Sequence, residues 1–210
     1  MTHPAPAAPT APRGGLLLQC QPNKAPDALV FAYRAENQAA VPIYVMDAMP
    51  RVDPATRAVS ANDQAATVLL RGGGVAVLGK FIAPLPQDRV LLAPDLPLCV
   101  RLDPGAAIER ELRIPLPFAE ASPHFPELTL RDYAVAEVTA VILAIGFMRA
   151  DTPGLYAAPA AYAPGLHVIS PSLAPVVAGL ACRLLPVKKL EILKRSDAFP
   201  RELPCHPVEG

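Results

Sequence analysis

Residues 133–149 read Tyr-Ala-Val-Ala-Glu-Val-Thr-Ala-Val-Ile-Leu-Ala-Ile-Gly-Phe-Met-Arg, and the fold class turns on whether they form strand or helix. At helical spacing Val135, Val138, Ile142 and Ile145 align on one side, which would suit a buried helix. Against it, Val138, Thr139, Val141, Ile142 and Ile145 are branched at Cβ and Gly146 interrupts the run, a composition that fits a pleated sheet better. We read the segment as a central strand, apolar on both faces with one face covered by a loop, and keep a buried helix as the alternative.

Proline sets the limits on either side. The chain holds 27 prolines in 210 residues, against an average usage of about 5%. Proline inside a helix lacks an amide hydrogen and clashes with the preceding turn, at a cost of about 3 kcal/mol. Few proline-free windows reach helix length: 27–41, 55–83, 127–152 and 187–199, the second broken by Gly72-Gly73-Gly74. An all-α fold or a βα repeat is excluded on these grounds. The expected fold is all-β, an immunoglobulin- or fibronectin-like antiparallel sandwich of about nine to eleven strands with long proline-rich loops. The likeness is architectural only, because without tryptophan the Cys…Trp…Cys hallmark of antibody domains is absent.

The strands follow in order. Leu16–Gln21 comes first, then Ala28–Glu36, which the turn Glu36-Asn37-Gln38 joins to Val41–Asp47 as a hairpin-like pair. Asn37 suits that turn because its side chain hydrogen-bonds nearby backbone. Residues 48–64 show little periodicity and read as a long loop. Thr67–Arg71 and Val75–Phe81 flank the three glycines as a tight hairpin. Short strands at 89–93 and 97–102 precede the turn Asp103-Pro104-Gly105. In Ala107–Ile114 the residues Ile108, Arg110, Leu112 and Ile114 share one face while Glu109, Glu111 and Arg113 share the other, which marks a half-solvated strand near a sheet edge. Leu166–Ile169, Leu180–Leu185 and Lys189–Leu193 are further strands. The domain reads as 15–196, between a Pro/Ala-rich tail at 1–14 and a second loose tail at 197–210 laid across it.

Nineteen basic residues balance nineteen acidic ones, which removes the global electrostatic case for nucleic acid or an acidic membrane. The start of the chain lacks the basic and apolar regions of a secretory signal, and the apolar run Val138–Met148 is too short for a membrane helix, so a cytoplasmic location is expected. Cys20, Cys99, Cys182 and Cys205 form no CxxC pair. They read as small buried thiols, with a Cys20–Cys99 disulfide as the alternative in an oxidising compartment.

Chemical constellations are sparse. No GxSxG is present, and His167 beside Ser170-Pro171-Ser172 is the only close Ser/His grouping, read as a strand histidine next to turn serines. His3, His124, His167, His206 and the cysteines lack zinc spacing. Asp47, Asp53, Asn62 and Asp63 offer oxygen ligands for calcium but no EF-hand pattern. The glycine cluster 72–74 precedes a strand rather than a helix, so it is no phosphate loop. Lys188, Lys189, Lys194 and Arg195 form the one basic cluster, with no interleaved aromatics. Glu109 and Glu111 belong to a surface charge row with Arg113. No catalytic residue, cofactor or metal site is expected. The reading that remains is a non-catalytic protein that binds a protein partner or itself, through an edge strand carrying Ile108, Arg110 and Leu112. A hydrolase-like enzyme or small-ligand binder with a loop-borne site is the alternative.

Overall fold

The structure is a computed structural model that describes residues 15–85, 96–170, 179–197 and 199–201. The strand expected at 89–93, the tails at 1–14 and 202–210, and Cys205 lie outside the described residues. Among the described residues there are thirteen strands and no α-helix, the single helical element being a 3-10 turn at Leu130–Asp132. In chain order the strands are β1 (Leu16–Lys24), β2 (Ala28–Asn37), β3 (Ile43–Val52), β4 (Val59–Asn62), β5 (Thr67–Arg71), β6 (Val75–Lys80), β7 (Leu98–Leu102), β8 (Ala107–Pro115), β9 (Phe118–Ala119), β10 (Tyr133–Arg149), β11 (Ala157–Pro159), β12 (Leu166–Ile169) and β13 (Gly179–Arg195). β1, β2 and β8 form a three-stranded sheet with β2 in the middle, and the other ten form a second sheet.

The segment 133–149 is strand β10. Val141, Leu143, Ile145 and Phe147 point into a buried cluster shared with Leu18, Phe31 and Leu112 of the three-stranded sheet. Ala144 and Met148 point the other way, against Phe81, Phe125 and Phe199. Both faces are covered, so the sequence reads as a continuous apolar run rather than an alternation.

Along one flank β10 pairs antiparallel with β13. Along the other it meets β6 in parallel over Ala140–Ile145, then β3 antiparallel over Phe147–Arg149. β13 in turn pairs in parallel with β9. Just past β9, Ala121 and Val68 of β5 exchange backbone hydrogen bonds of 2.8 and 3.0 Å. β5 and β6 form the expected hairpin, with Gly73 and Gly74 at φ 75° and 72° in its turn. The hydrogen bonding therefore closes on itself through β10, β13, β9, β5 and β6. Gly79 makes the β6–β10 contact possible: at φ 148°, a Cβ there would sit 1.9 Å from the Ala144 carbonyl oxygen.

Several expectations are corrected. The two parallel pairs make the larger sheet mixed rather than antiparallel. β2 and β3 do not pair; they enter different sheets. Asn37 does hold the connection, accepting from Ala39 N–H at 2.9 Å and donating to the Val41 and Leu102 carbonyls at 2.9 and 3.0 Å. Residues 48–64 are not a long loop, because β3 runs to Val52 and turns back as β4. The strands expected at 180–185 and 189–193 are one strand, β13, with a register shift opposite Val138 and Ala140.

A groove beside the sheet seam

The seam between β5 and the end of β13 is held by one side chain. Glu120 follows β9, is 1% exposed, and spends both carboxylate oxygens. Oε1 accepts from Leu70 N–H at 2.9 Å and Arg201 Nε at 2.8 Å. Oε2 accepts from Arg195 N–H at 2.8 Å and Arg201 Nη2 at 2.7 Å. The carboxylate thus takes the place of backbone acceptors where the ladder runs out. Arg195 is buried between Phe125 and Phe199, its guanidinium carbon 5.5 and 5.1 Å from the ring centroids, and donates to both oxygens of Asp197 and to the Pro126 carbonyl. Phe199 and Arg201 are therefore seated on the domain, inside the span expected to be a loose tail.

Beside this seam runs an open groove of about 810 Å³. Its walls come from Met49–Val52 of β3 and Asn62 of β4, from Ala65 and Ala66, from 119–123, Phe125, Glu127 and Leu128, and from Leu130 and Tyr133. Leu130, at the rim, is 79% exposed. One wall continues outward as a two-stranded arm, the end of β3 paired with β4. The register sets Pro50 opposite Ala61 and Val52 opposite Val59, so the two-residue period places all four on one face and Met49, Arg51, Ser60 and Asn62 on the other. Val52 and Val59 are 52% and 40% exposed. At the tip, the Asp53 carboxylate accepts the Thr56 and Ala55 N–H groups at 2.8 and 2.9 Å, bonds that hold it below the usual carboxylate range. Arg57 closes the turn at φ 59°, a conformation uncommon for any residue but glycine, Asn or Asp.

A second buried charge cluster lies at the fork where β3 and β6 diverge from β10. Asp47 accepts from Arg110 Nε at 3.0 and 3.1 Å and Nη2 at 2.8 Å, and lies 3.5 Å from Lys80 Nζ. Lys80 and Asp47 are buried, and desolvation pulls the lysine below its ordinary pKa while Asp47 opposes the shift. Lys80 Nζ also stands 5.9 Å from the Tyr33 ring centroid.

The expected partner-binding residues fall here. β8 does lie at the edge of its sheet, but Ile108, Arg110 and Leu112 face inward. Leu112 and Phe31 meet in the core, and Arg110 is spent on Asp47. The outer edge of β8 is partly occupied: the Gln64 amide donates to the Glu111 carbonyl and accepts from Arg113 N–H, both at 3.1 Å. The other candidates are likewise placed. His167 packs edge-on against Tyr44 with centroids 5.4 Å apart, and Ser172 lies outside the described residues. Asn62 accepts from Gln64 N–H, so Asp47, Asp53 and Asn62 each already hold protein donors. Among the described residues no three His, Cys, Asp or Glu side chains converge as a metal site. The basic cluster is divided, with Lys189 paired to Glu137 and Arg195 turned inward. Cys20 and Cys99 are free thiols, and no helix among the described residues is long and apolar enough to cross a membrane.

Sequence reading missed the arm, the groove and Glu120. The arm's apolar face was legible in principle as Pro50, Val52, Val59 and Ala61. Glu120 had no local signal, because its donors lie 50 to 81 residues away. Comparison with protein-family models, curated proteins and solved structures gives no match for this chain.

Proposed function

We propose that this is a non-catalytic protein that acts by holding a protein partner in the groove beside the seam. The observation that carries the reading is an open groove, lined by apolar and polar side chains alike, beside an arm that leaves Val52 and Val59 exposed. Of the buried charged groups, Glu120, Arg195 and Arg201 are held by one another and the backbone, and Asp47 by Arg110 and Lys80. A domain of immunoglobulin-like sandwich character fits this role, since its two sheets share one buried cluster, with the parallel pairs as a departure from the type. A cytoplasmic location is supported by the free thiols of Cys20 and Cys99, which reducing compartments preserve.

A photo-cross-linking residue at position 130 tests the reading, with one at exposed Tyr156 as the control. In the native host, position 130 should give discrete protein adducts and position 156 none. Absence of any protein adduct at 130 refutes it.

A further inference from the structure

Among the described residues no strand pairs with β8 on the side away from β2. The odd-numbered residues of β8 turn their N–H and C=O groups to that side. Such a row is a ready template for any extended chain that meets it. Here the Glu111 carbonyl accepts from the Gln64 amide nitrogen, and the Arg113 N–H donates to the Gln64 amide oxygen, both at 3.1 Å. These are the two bonds, to the carbonyl before Leu112 and the N–H after it, that one residue of a parallel neighbouring strand would make. One step along, the Glu109 carbonyl accepts from Arg110 Nη1 at 3.0 Å. At the end of the strand, Pro115 has no N–H to present.

We propose that Gln64 is a cap on this edge, its amide standing in for the peptide group of an absent strand, and that it keeps copies of the protein from joining edge to edge. Only Asn and Gln side chains carry a donor and an acceptor side by side as a peptide group does. Gln64 is exposed, and an exposed glutamine gives up rotamer freedom when both ends of its amide are fixed. The chain between β4 and β5 is shaped to present it: the Gln64 N–H donates to the Asn62 side-chain oxygen at 3.0 Å, a local turn that sets the direction of the next side chain. The cap is separate from the groove, whose walls include Asn62 and Ala65 but not Gln64.

Gln64→Ala in the full chain tests the proposal by two readings. In dilute solution the Arg113 amide should exchange its hydrogen roughly 5-fold faster or more than in the wild type, while the Leu112 amide, paired with Phe31 of β2, keeps its rate. In sedimentation velocity up to about 100 μM, a range in which even modest interfaces associate, the variant should form larger species that the wild type does not form. Gln64→Met, of similar length but with no amide, should repeat both readings. Adding Glu109→Pro, which sets a proline ring on the outward edge, should return either variant to the wild-type sedimentation pattern. An Arg113 amide that exchanges as in the wild type, variants that sediment as the wild type throughout, or association that survives Glu109→Pro, as association through the groove would, overturns the proposal.

Discussion

Asp47 shows what a single buried charge commits a chain to. It balances Lys80 away from water and the half-buried Arg110 at the margin, so Asp47→Ala should cost about 3–5 kcal/mol in urea unfolding, because it strands the buried lysine. Replacing all three with apolar residues of similar size should recover most of that loss; a triple variant as unstable as the single one would show that the ions hold the fork by more than their charge. Cys20 gives a second test. Burial pushes its thiol up to about 11 from an ordinary 9.0. At pH 8 its alkylation in the native protein should run about 100-fold slower than in concentrated urea, following the thiolate fraction. Peptide mass spectrometry resolves this site from Cys182 and Cys205, and equal rates would contradict the shift. The folded thiol keeps a proton that the unfolded chain releases, so its contribution to stability is complete below about pH 9 and is lost as the pH rises toward 11. The thiols' burial was legible in their apolar strand contexts, but the Asp47 cluster was not, since Asp47 lies 33 residues from Lys80 and 63 from Arg110.

At the scale of the element, the strand edges are the test. In β8 the backbone groups of the even-numbered residues bond to β2 and those of the odd-numbered residues point outward, as the contacts of Gln64 with Glu111 and Arg113 show. Ile108→Pro should therefore cost about 3 kcal/mol or more, while Glu109→Pro next to it should cost under about 1 kcal/mol. Equal losses would mean that β8 is not a free edge. Elements with strong local signals were legible: β10 from its branched residues, the β5–β6 hairpin from three glycines, and β12 to the residue. Elements decided by distant partners were not. Pro186 reads as a strand breaker, yet it sits beside the register shift of β13, where an extra loop of strand tolerates a missing donor. The arm over 49–62 offers only two short runs whose period is hidden by Pro50 and Pro54, and a chain segment that short carries its pattern only once it is paired.

For the whole molecule the decisive contact is the seam. Glu120→Ala removes the acceptor shared by Leu70, Arg195 and Arg201, and should cost about 3–5 kcal/mol with fast hydrogen exchange at the Val68 and Ala121 amides. Slow exchange at both amides in that variant would show that the ladder closes without the carboxylate. The same contact sets a timetable during synthesis. Glu120 is made 75 and 81 residues before the arginines it serves, which at about 5–20 residues per second is roughly 4 to 16 s of translation. Throughout that interval Ala121 and Leu70 are present but the carboxylate has no cation, so its burial must wait for Arg195 and Arg201 to emerge. The nascent protein is in this respect all-or-nothing. A ribosome stalled before Arg195 carries an unclosed sheet, and chaperone occupancy on stalled chains should fall only once Arg201 is free.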